Sequence, residues 1–260
     1  MQVDIDKLRQ QILTQNVHFS FALRRAEITA FLMQTQGRSV LSGPYSGMAL
    51  LDEVSWADGD IAPKLLGTYE EELHVVIKKA VQRNPLTVIN VGCAEGFHAV
   101  GLARLLPEAQ IFAFDIDPKA QAICRRAAET NGIGARVSVG GTCSLEQLRG
   151  LVTQSDRVLL FFDCEGAEKG FLIPALPFGL DFRNCDIIIE CHDFIDRSIT
   201  TALTQKFIKT HTVENIVEGP RNPNRFDCLR RFPSINRWLA VDEGRPETMN
   251  WLVCWSGSNS

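Results

Sequence analysis

The residues best suited to chemistry in this sequence are two glycines and a set of carboxylates, each of which follows an apolar run. The run Thr87–Val91 is followed by Gly92 and Gly96, and a helical pattern begins near Phe97. This order predicts a strand, a tight turn and a helix. Glycine lets a backbone turn sharply and approach a ligand closely. The open N–H groups at the start of the helix would then favour an anionic or polar ligand.

A second apolar run, 111–114, ends in Asp115, about twenty residues after the glycine turn. An acidic residue at the tip of the second strand of a βαβ unit can bind both hydroxyls of a ribose. A dinucleotide and a single nucleoside both fit that geometry, and a structural turn without a ligand is the third interpretation. A dinucleotide usually requires G-x-G-x-x-G, whereas Ala94 and Phe97 stand where further glycines would be expected.

The pattern Asn90-x-Gly92-x-x-x-Gly96 resembles motif I of the class I S-adenosylmethionine (SAM) methyltransferases. That family usually has an acidic residue at the position of Asn90, so backbone carbonyls would share the contact to the SAM amino group. The resemblance implies SAM as the cofactor, with the ribose on Asp115 and the adenine near Ile116 and the turn after the third strand. The cofactor-binding residues expected on this basis are Asn90, Gly92, Cys93, Ala94, Glu95, Gly96, Asp115, Ile116, Thr142, Cys143 and Asp163.

The fourth predicted strand, 157–162, ends in Asp163-Cys-Glu165-Gly-Ala-Glu168. This segment resembles the D-x-E-G-x-E signature of FkbM-type methyltransferases, a branch that acts largely on hydroxyl groups of natural products and sugars. The resemblance implies O-methylation of a small-molecule acceptor, with Asp163 and Glu165 as base or acceptor-orienting carboxylate. Glu165 and Glu168 could instead stabilise a helix N-terminus. His192, after the fifth strand, could act as the base near neutral pH or be a hydrogen-bonded structural residue.

Two other functions remain open from the sequence. Asp163, His192 and Asp193 end neighbouring strands and could bind one Mg²⁺, with Glu190 as a fourth ligand. The ion would lower the pKa of an acceptor hydroxyl and orient it, replacing a strong base. The nearby cysteines have no usual zinc-ligand spacing. The alternative from another class is a catalytically silent protein that binds SAM or another nucleoside as a scaffold.

The elements that must position these residues alternate between strand and helix from residue 86 onward. Strands are predicted at 87–91, 110–115, 135–139, 157–162 and 186–190, with helices at 97–106, 118–131, 144–153 and 198–211. Such alternation predicts a parallel sheet whose ligands lie at the C-terminal strand ends. The strands 212–217 and 251–255, joined by an insert at about 219–248, resemble the antiparallel pair that closes a class I methyltransferase sheet. We therefore predict an α/β, Rossmann-like class I methyltransferase fold with seven mostly parallel strands and an antiparallel last strand.

Residues 1–84 are predicted to form an N-terminal helical extension to a SAM-binding domain at 85–260. Apolar residues between 4 and 35 predict one or two helices that pack on the domain, form a lid or make a homodimer contact. Thr68-Tyr-Glu-Glu71 predicts a capping box that opens a helix at 69–82, from which Tyr69 or Glu70 could reach the cofactor.

The insert has a cluster of arginines, which could bind an anionic acceptor or form a solvated basic face paired with Asp227 and Asp242. Its members are Arg221, Arg225, Arg230, Arg231 and Arg237.

The composition is that of a soluble globular protein with a sizeable core. The chain has 260 residues, 45% hydrophobic and 22% charged, with a net charge of −4. This balance gives no general affinity for nucleic acid, and no apolar run approaches the roughly 20 residues of a membrane span. The start shows no secretory pattern, and eight scattered cysteines lack C-x-x-C pairs. We therefore expect a cytoplasmic enzyme with reduced thiols and a small-molecule acceptor, without a membrane or nucleic-acid partner.

Overall fold

The computed structural model describes residues 5–53, 60–155, 157–173 and 180–257. Seven strands form one sheet: β1 (Thr87–Val91), β2 (Gln110–Phe114), β3 (Val137–Gly140), β4 (Val158–Phe162), β5 (Cys185–Cys191), β6 (His211–Val217) and β7 (Asn250–Ser256). Their order is β3-β2-β1-β4-β5-β7-β6. Strand β7 is antiparallel to both neighbours, and the other neighbouring pairs are parallel. The predicted class I methyltransferase fold, with its antiparallel last strand, is confirmed.

Helices cover both faces of the sheet. They are α1 (Ile5–Gln36), α2 (Ile61–Leu66), α3 (His74–Gln82), α4 (Phe97–Leu105), α5 (Pro118–Thr130), α6 (Leu145–Thr153), α7 (Glu168–Leu172), α8 (Ile199–Phe207) and α9 (Ser234–Leu239). The strand order reverses between β1 and β4, and such a switch point opens a crevice at the C-terminal strand ends. The eight cysteines are unpaired.

The central strands are buried on both faces, as expected where helices cover a parallel sheet. Every residue of β1 and β4 is buried. Val88, Phe161 and Trp251 point into one apolar core, which also contains residues of α3, α4 and α5. Ile89 and Leu160 point into the other core, with residues of α6, α7 and α8. Strand residues therefore alternate between two cores instead of between core and solvent.

The segment before β1 differs from the predicted capping-box helix. Glu70 has left-handed backbone angles, a 3-10 turn follows at Glu71–Leu73, and α3 begins only at His74. The prediction of a helix at 69–82 is therefore wrong at its start. The differences are tertiary: Glu71, the expected capping carboxylate, pairs with Arg225 of the insert, and the carboxylate of the left-handed Glu70 is held by His98 and Arg245. The helix that follows has one buried apolar face, formed with Leu73 by Val76, Ile77 and Ala80.

Helix α1 is long, and only its C-terminal part packs on the rest of the protein. Ile28 and Leu32 are buried against residues of α2 and α9. Phe19 and Leu23, predicted to belong to a packing stripe, are 65% and 51% exposed. No helix in the described ranges is both long and apolar enough to cross a membrane.

Candidate cofactor and acceptor site

A cleft of about 390 Å³ lies at the C-terminal ends of β1, β2, β3 and β4, within the size range of small-molecule sites. Most of the residues predicted to bind a cofactor line it: Gly92, Ala94, Glu95, Asp115, Ile116, Thr142, Cys143 and Asp163. Glu165 and Tyr69 line it too. The sheet therefore brings together turns that are far apart in the sequence.

The turn after β1 is fixed against the ends of β2 and β4. Gly92 has a φ of +78°, and a Cβ there would lie 1.5 Å from the carbonyl oxygen of Asp163. Only glycine permits this approach of the two turns. The N–H groups of Gly92 and Cys93 both donate to the carbonyl of Phe114, at 2.8 and 2.9 Å. The floor of the cleft is thus a set of mutually hydrogen-bonded turns.

Asp115 is buried beside this turn, and both of its carboxylate oxygens accept backbone hydrogen bonds. Oδ2 accepts from the N–H of Ala94 at 2.8 Å, and Oδ1 accepts from the N–H of Asp117 at 2.9 Å. A carboxylate has about four lone-pair positions, so two acceptor positions remain for ribose hydroxyls. Ile116, which follows, is 73% exposed and offers an apolar surface at the edge of the cleft.

Three of the predicted cofactor residues, Asn90, Cys93 and Gly96, do not line the cleft. Asn90 is 2% exposed, and its Nδ2 donates to the carbonyl of Phe161 at 3.4 Å. Asn90, predicted to contact the cofactor, has its side chain in the protein interior because of its position in β1, and its Oδ1 has no hydrogen-bond partner among the described residues. Cys93 is also buried. Gly96 has a φ of +90°, and a Cβ there would lie 2.6 Å from the sulfur of Cys124, so this glycine serves helix packing.

Two charged residues of the cleft, Asp60 and Lys64, were missed by sequence reasoning. Lys64 is 6% exposed, forms ion pairs with Asp60 at 2.6 Å and with Glu95, and lies 4.7 Å from the centre of the Tyr69 ring. Burial lowers the pKa of Lys64, but the carboxylates of Glu95 and Asp60 outweigh burial and raise it above its usual value. The buried lysine is therefore charged. The i, i+4 spacing of Asp60 and Lys64 is a local signal of an ion pair, but their second partner, Glu95, comes from the turn after β1 and is distant in sequence.

The acidic turn after β4 is joined to the end of β5 through Glu168. Its Oε1 accepts from the N–H groups of Cys164 and Gly166, at 3.0 and 3.1 Å, and from Nδ1 of His192 at 2.8 Å. The side chain of Glu168 is fully buried. Glu168 thus orients the imidazole and closes the turn, which is more than the helix-terminus role considered from the sequence.

The structure brings the three predicted catalytic residues together. Nε2 of His192 lies 3.5 Å from Oε2 of Glu165 and 3.7 Å from Oδ1 of Asp163. Burial lowers the pKa of His192, but the hydrogen bond to Glu168 and the charge of Glu190 outweigh it and raise the pKa. Burial and the neighbouring Glu190 raise the pKa of Asp163. The group can therefore exchange a proton with a ligand in the cleft.

A buried ionic network lies behind this group. Glu70 is 1% exposed and contacts Nε2 of His98 at 2.9 Å and Nη2 of Arg245 at 3.2 Å. Arg245 also pairs with Glu190 and with Glu243, the latter at 3.0 Å. Burial raises the pKa of Glu70, but His98 and Arg245 outweigh it and lower the pKa to about 2. Through Arg245 the insert is anchored to β5 at Glu190 and to the segment before β1 at Glu70.

The arginines of the insert do not form one solvated face. Arg221 is buried and pairs with Glu243 at 2.5 Å and Glu72 at 2.9 Å. Arg230 pairs with Asp227 as expected, at 2.8 Å. The predicted use of Asp242 by this cluster is corrected, because Asp242 pairs with Arg25 of α1. Arg225 pairs with Glu71, and Arg231 stacks on Phe31.

Two groups of side chains in the described residues have the geometry to hold a metal ion. Asp163, Glu165 and His192 each offer one ligand atom, and these atoms lie within 4.8 Å of one another. Asp193, predicted as a ligand, does not join them, because its oxygens accept from the N–H of Thr200 at 3.1 Å and from its Oγ1 at 2.5 Å. The predicted ligand Glu190 belongs to the second group, with Glu70 and Asp163. Arg245 already supplies the positive charge there.

No protein-family model matches the sequence. A curated protein, release factor glutamine methyltransferase of Moorella thermoacetica, is 32% identical to the chain over 85 residues. The matched segment is 31% of this chain and spans only 30% of the length of that relative.

Two bacterial O-methyltransferases are among the solved structures to which the chain is similar. TomG from Streptomyces achromogenes, in complex with SAM, is 9% identical, with 90% of each chain covered and a TM-score of 0.48. The O-methyltransferase from Bacillus cereus, in complex with SAH, is 12% identical, with 80% of this chain and 84% of that chain covered and a TM-score of 0.46. These likenesses concern the fold, and the ligands named belong to those two proteins.

Proposed function

We propose that the chain is a SAM-dependent methyltransferase. The observation that carries the proposal is one cleft at the switch point of the sheet that joins a glycine turn, a ribose-type carboxylate and a proton-exchanging group. The adenosine would lie on Asp115 and Ile116, next to the turn with Thr142 and Cys143. The sulfonium would then lie in the cleft beside the turn after β1 and Asp163, both of which line it.

The residues of the chain fit the two tasks that methyl transfer leaves to the protein. SAM, when bound, supplies a methyl group that its sulfonium charge has already activated. The protein must align the acceptor and remove one proton. Asp163 would orient the acceptor, and His192, held by Glu168 through Nδ1, would accept the proton at Nε2. Because the pKa of His192 is raised, its neutral, basic form predominates only at a higher pH than for an ordinary histidine.

The acceptor class that we propose is a hydroxyl group of a small molecule, as in the FkbM-type branch. The support is the segment Asp163-Cys-Glu165-Gly-Ala-Glu168, in which all three carboxylates contribute to the site: two face His192 Nε2 and one holds Nδ1. A polar group with a removable proton is what such an arrangement can activate.

A metal-assisted version of the reaction is the second candidate. It is supported by the convergence of Asp163, Glu165 and His192, whose ring is held by a carboxylate on its other nitrogen, as is usual for metal-bound histidines. An ion held there would lower the pKa of the acceptor hydroxyl. Full turnover after dialysis against a chelator would exclude this version.

The proposal is tested by calorimetric titration with S-adenosylhomocysteine (SAH), followed by an assay of SAH release from SAM. The assay would use parallel panels of small hydroxyl and amine acceptors. We expect binding of SAH and release with hydroxyl acceptors. Absence of binding contradicts the enzyme proposal, binding without release on either panel supports the scaffold alternative, and release with amines alone contradicts the acceptor class.

A further inference from the structure

One wall of the cleft carries a charged group that lies mostly outside the glycine motif. It consists of Asp60, Lys64 and Glu95, and only Glu95 belongs to the turn after β1. The side chain of Lys64 is 8% exposed, and it bonds to both carboxylates. A lysine is rarely buried to this degree unless it is paired. The group is therefore a built feature of the cleft wall next to the glycine turn.

The hydrogen bonds of this group leave one acceptor and one donor for a ligand. Oδ1 of Asp60 is buried and has no hydrogen-bond partner among the described residues. A buried carboxylate oxygen without a donor is costly, and a donor from a ligand would satisfy it. Lys64 has three N–H donors, of which Asp60 and Glu95 take two. Its third donor can bond a second anionic group.

The position of Asn90 favours Asp60 and Lys64 as the residues that bind the polar end of a ligand. Asn90 of β1 also has a buried Oδ1 without a partner among the described residues, but unlike Asp60 and Lys64 it does not line the cleft. A zwitterionic α-amino acid presents one ammonium and one carboxylate, which complement the free oxygen of Asp60 and the third donor of Lys64.

We propose that Lys64 binds the carboxylate of the amino-acid end of SAM and that Asp60 binds its ammonium group. The inference rests on the proposed function and names two positioning residues that the sequence motif does not contain. Glu95 keeps Lys64 in place next to the turn, and the ring of Tyr69 packs under the lysine ammonium.

The test is a calorimetric comparison of SAH with 5′-methylthioadenosine, which has the same adenosine and sulfur but lacks the amino acid. Both ligands are titrated into the full chain and into its Lys64→Met and Asp60→Asn variants. We expect each variant to bind SAH at least ~10-fold more weakly, the effect of one buried charge-assisted hydrogen bond, and to bind methylthioadenosine within ~2-fold of the wild type. Lys79→Met is the matched control, because Lys79 also pairs with a glutamate and lies over an aromatic ring, outside the cleft. It should change neither affinity.

A third ligand separates the two roles. Decarboxylated SAM keeps the ammonium group and lacks the carboxylate. Lys64→Met should not weaken its binding, whereas Asp60→Asn should still weaken it ~10-fold. Thermal unfolding of each variant identifies any loss of fold. If Lys64→Met does not fold, Asp60→Asn still tests the proposal, because it retains the Lys64–Glu95 bond.

Four results would overturn the assignment. Equal weakening of SAH and methylthioadenosine would mean that Asp60 and Lys64 only support the cleft. Unchanged SAH affinity in both variants would mean that the amino acid lies elsewhere. Wild-type chain that binds methylthioadenosine as tightly as SAH would overturn this inference alone, whereas wild type that binds neither ligand would overturn the proposed function as well.

Discussion

Replacing Asp115 by asparagine is the substitution that most directly perturbs the proposed cofactor site. The carboxylate faces the cleft at the end of β2 and also accepts two backbone hydrogen bonds, from Ala94 and Asp117. Asparagine has nearly the same shape but only one acceptor atom. The substitution therefore removes the charge that would bind the ribose and leaves one backbone N–H group without its acceptor.

The two consequences have separate magnitudes. A charge-assisted hydrogen bond contributes about 1.5–3 kcal/mol, so loss of the ribose contact should weaken SAH binding roughly 10- to 150-fold. The orphaned N–H group should lower the free energy of unfolding by about 1–3 kcal/mol, because Asp115 is buried and water does not replace the carboxylate.

Calorimetry with SAH measures the first effect, and urea unfolding monitored by circular dichroism measures the second. Asp117→Asn is the matched control, because Asp117 is two residues away and caps α5 by accepting from the N–H of Lys119 at 2.9 Å. It does not line the cleft and should bind SAH within ~2-fold of the wild type. An Asp115→Asn variant that is destabilised but binds SAH normally would refute the placement of the ribose.

Four further predictions concern the group at the ends of β4 and β5. If His192 is the base, kcat/KM should rise with pH through a midpoint above 6.5, because the pKa of His192 is raised. Glu168→Gln should move that midpoint down, because it removes the carboxylate that helps to raise this pKa. A flat pH–rate profile would contradict the role of His192 as base. Asp163→Asn should lower kcat by at least ~10-fold more than it lowers SAH affinity, and equal losses would demote Asp163 to a binding residue. Arg245→Met leaves buried Glu70 and Glu190 without their cation and should cost about 3–5 kcal/mol of unfolding free energy in urea, whereas a loss below about 1 kcal/mol would contradict the network. If the metal-assisted version holds, Mn²⁺ should bind the wild type in a calorimetric titration and bind the Glu165→Gln variant at least ~10-fold more weakly.

The features that could be predicted from the sequence are those that depend on neighbouring residues. The run Thr87–Val91 and its glycines define a strand and turn, because β-branched residues and glycine restrict the local backbone in opposite ways. Asp115 was identified by the same logic, since the carboxyl ends of adjacent parallel strands meet at one edge. The fold follows from the repetition of this pattern along the chain.

The features that could not be predicted depend on contacts between distant residues. Arg245 and Glu70 are 175 positions apart, and the left-handed backbone at Glu70, which interrupts the predicted helix, accompanies their pairing. Lys64 lies in an unremarkable short helix and becomes part of the site only because Glu95 bonds to it. The spacing of residues along the sequence does not indicate ion pairs between distant residues.

Some residues at the predicted positions have side chains that are buried or bonded elsewhere and do not face the cleft. Asn90 follows motif spacing, yet strand alternation between two cores turns it inward, away from the cleft. Asp193 follows the fifth strand as expected, but Thr200 at the start of α8 takes both its oxygens. The carboxylate that faces His192 Nε2 in the candidate metal group is that of Glu165, in the turn after β4, and not that of Asp193. Local hydrogen bonds of this kind are decided by loop conformation.

The most direct test of the proposed cofactor site is a crystal structure of the chain grown with SAH. The predicted result has both ribose hydroxyls within hydrogen-bond distance of Asp115, the sulfur facing Asp163, and the amino-acid end beside Lys64. SAH bound away from the ends of β1 and β2, or bound there with Asp115 touching no ribose oxygen, would contradict the proposed cofactor site.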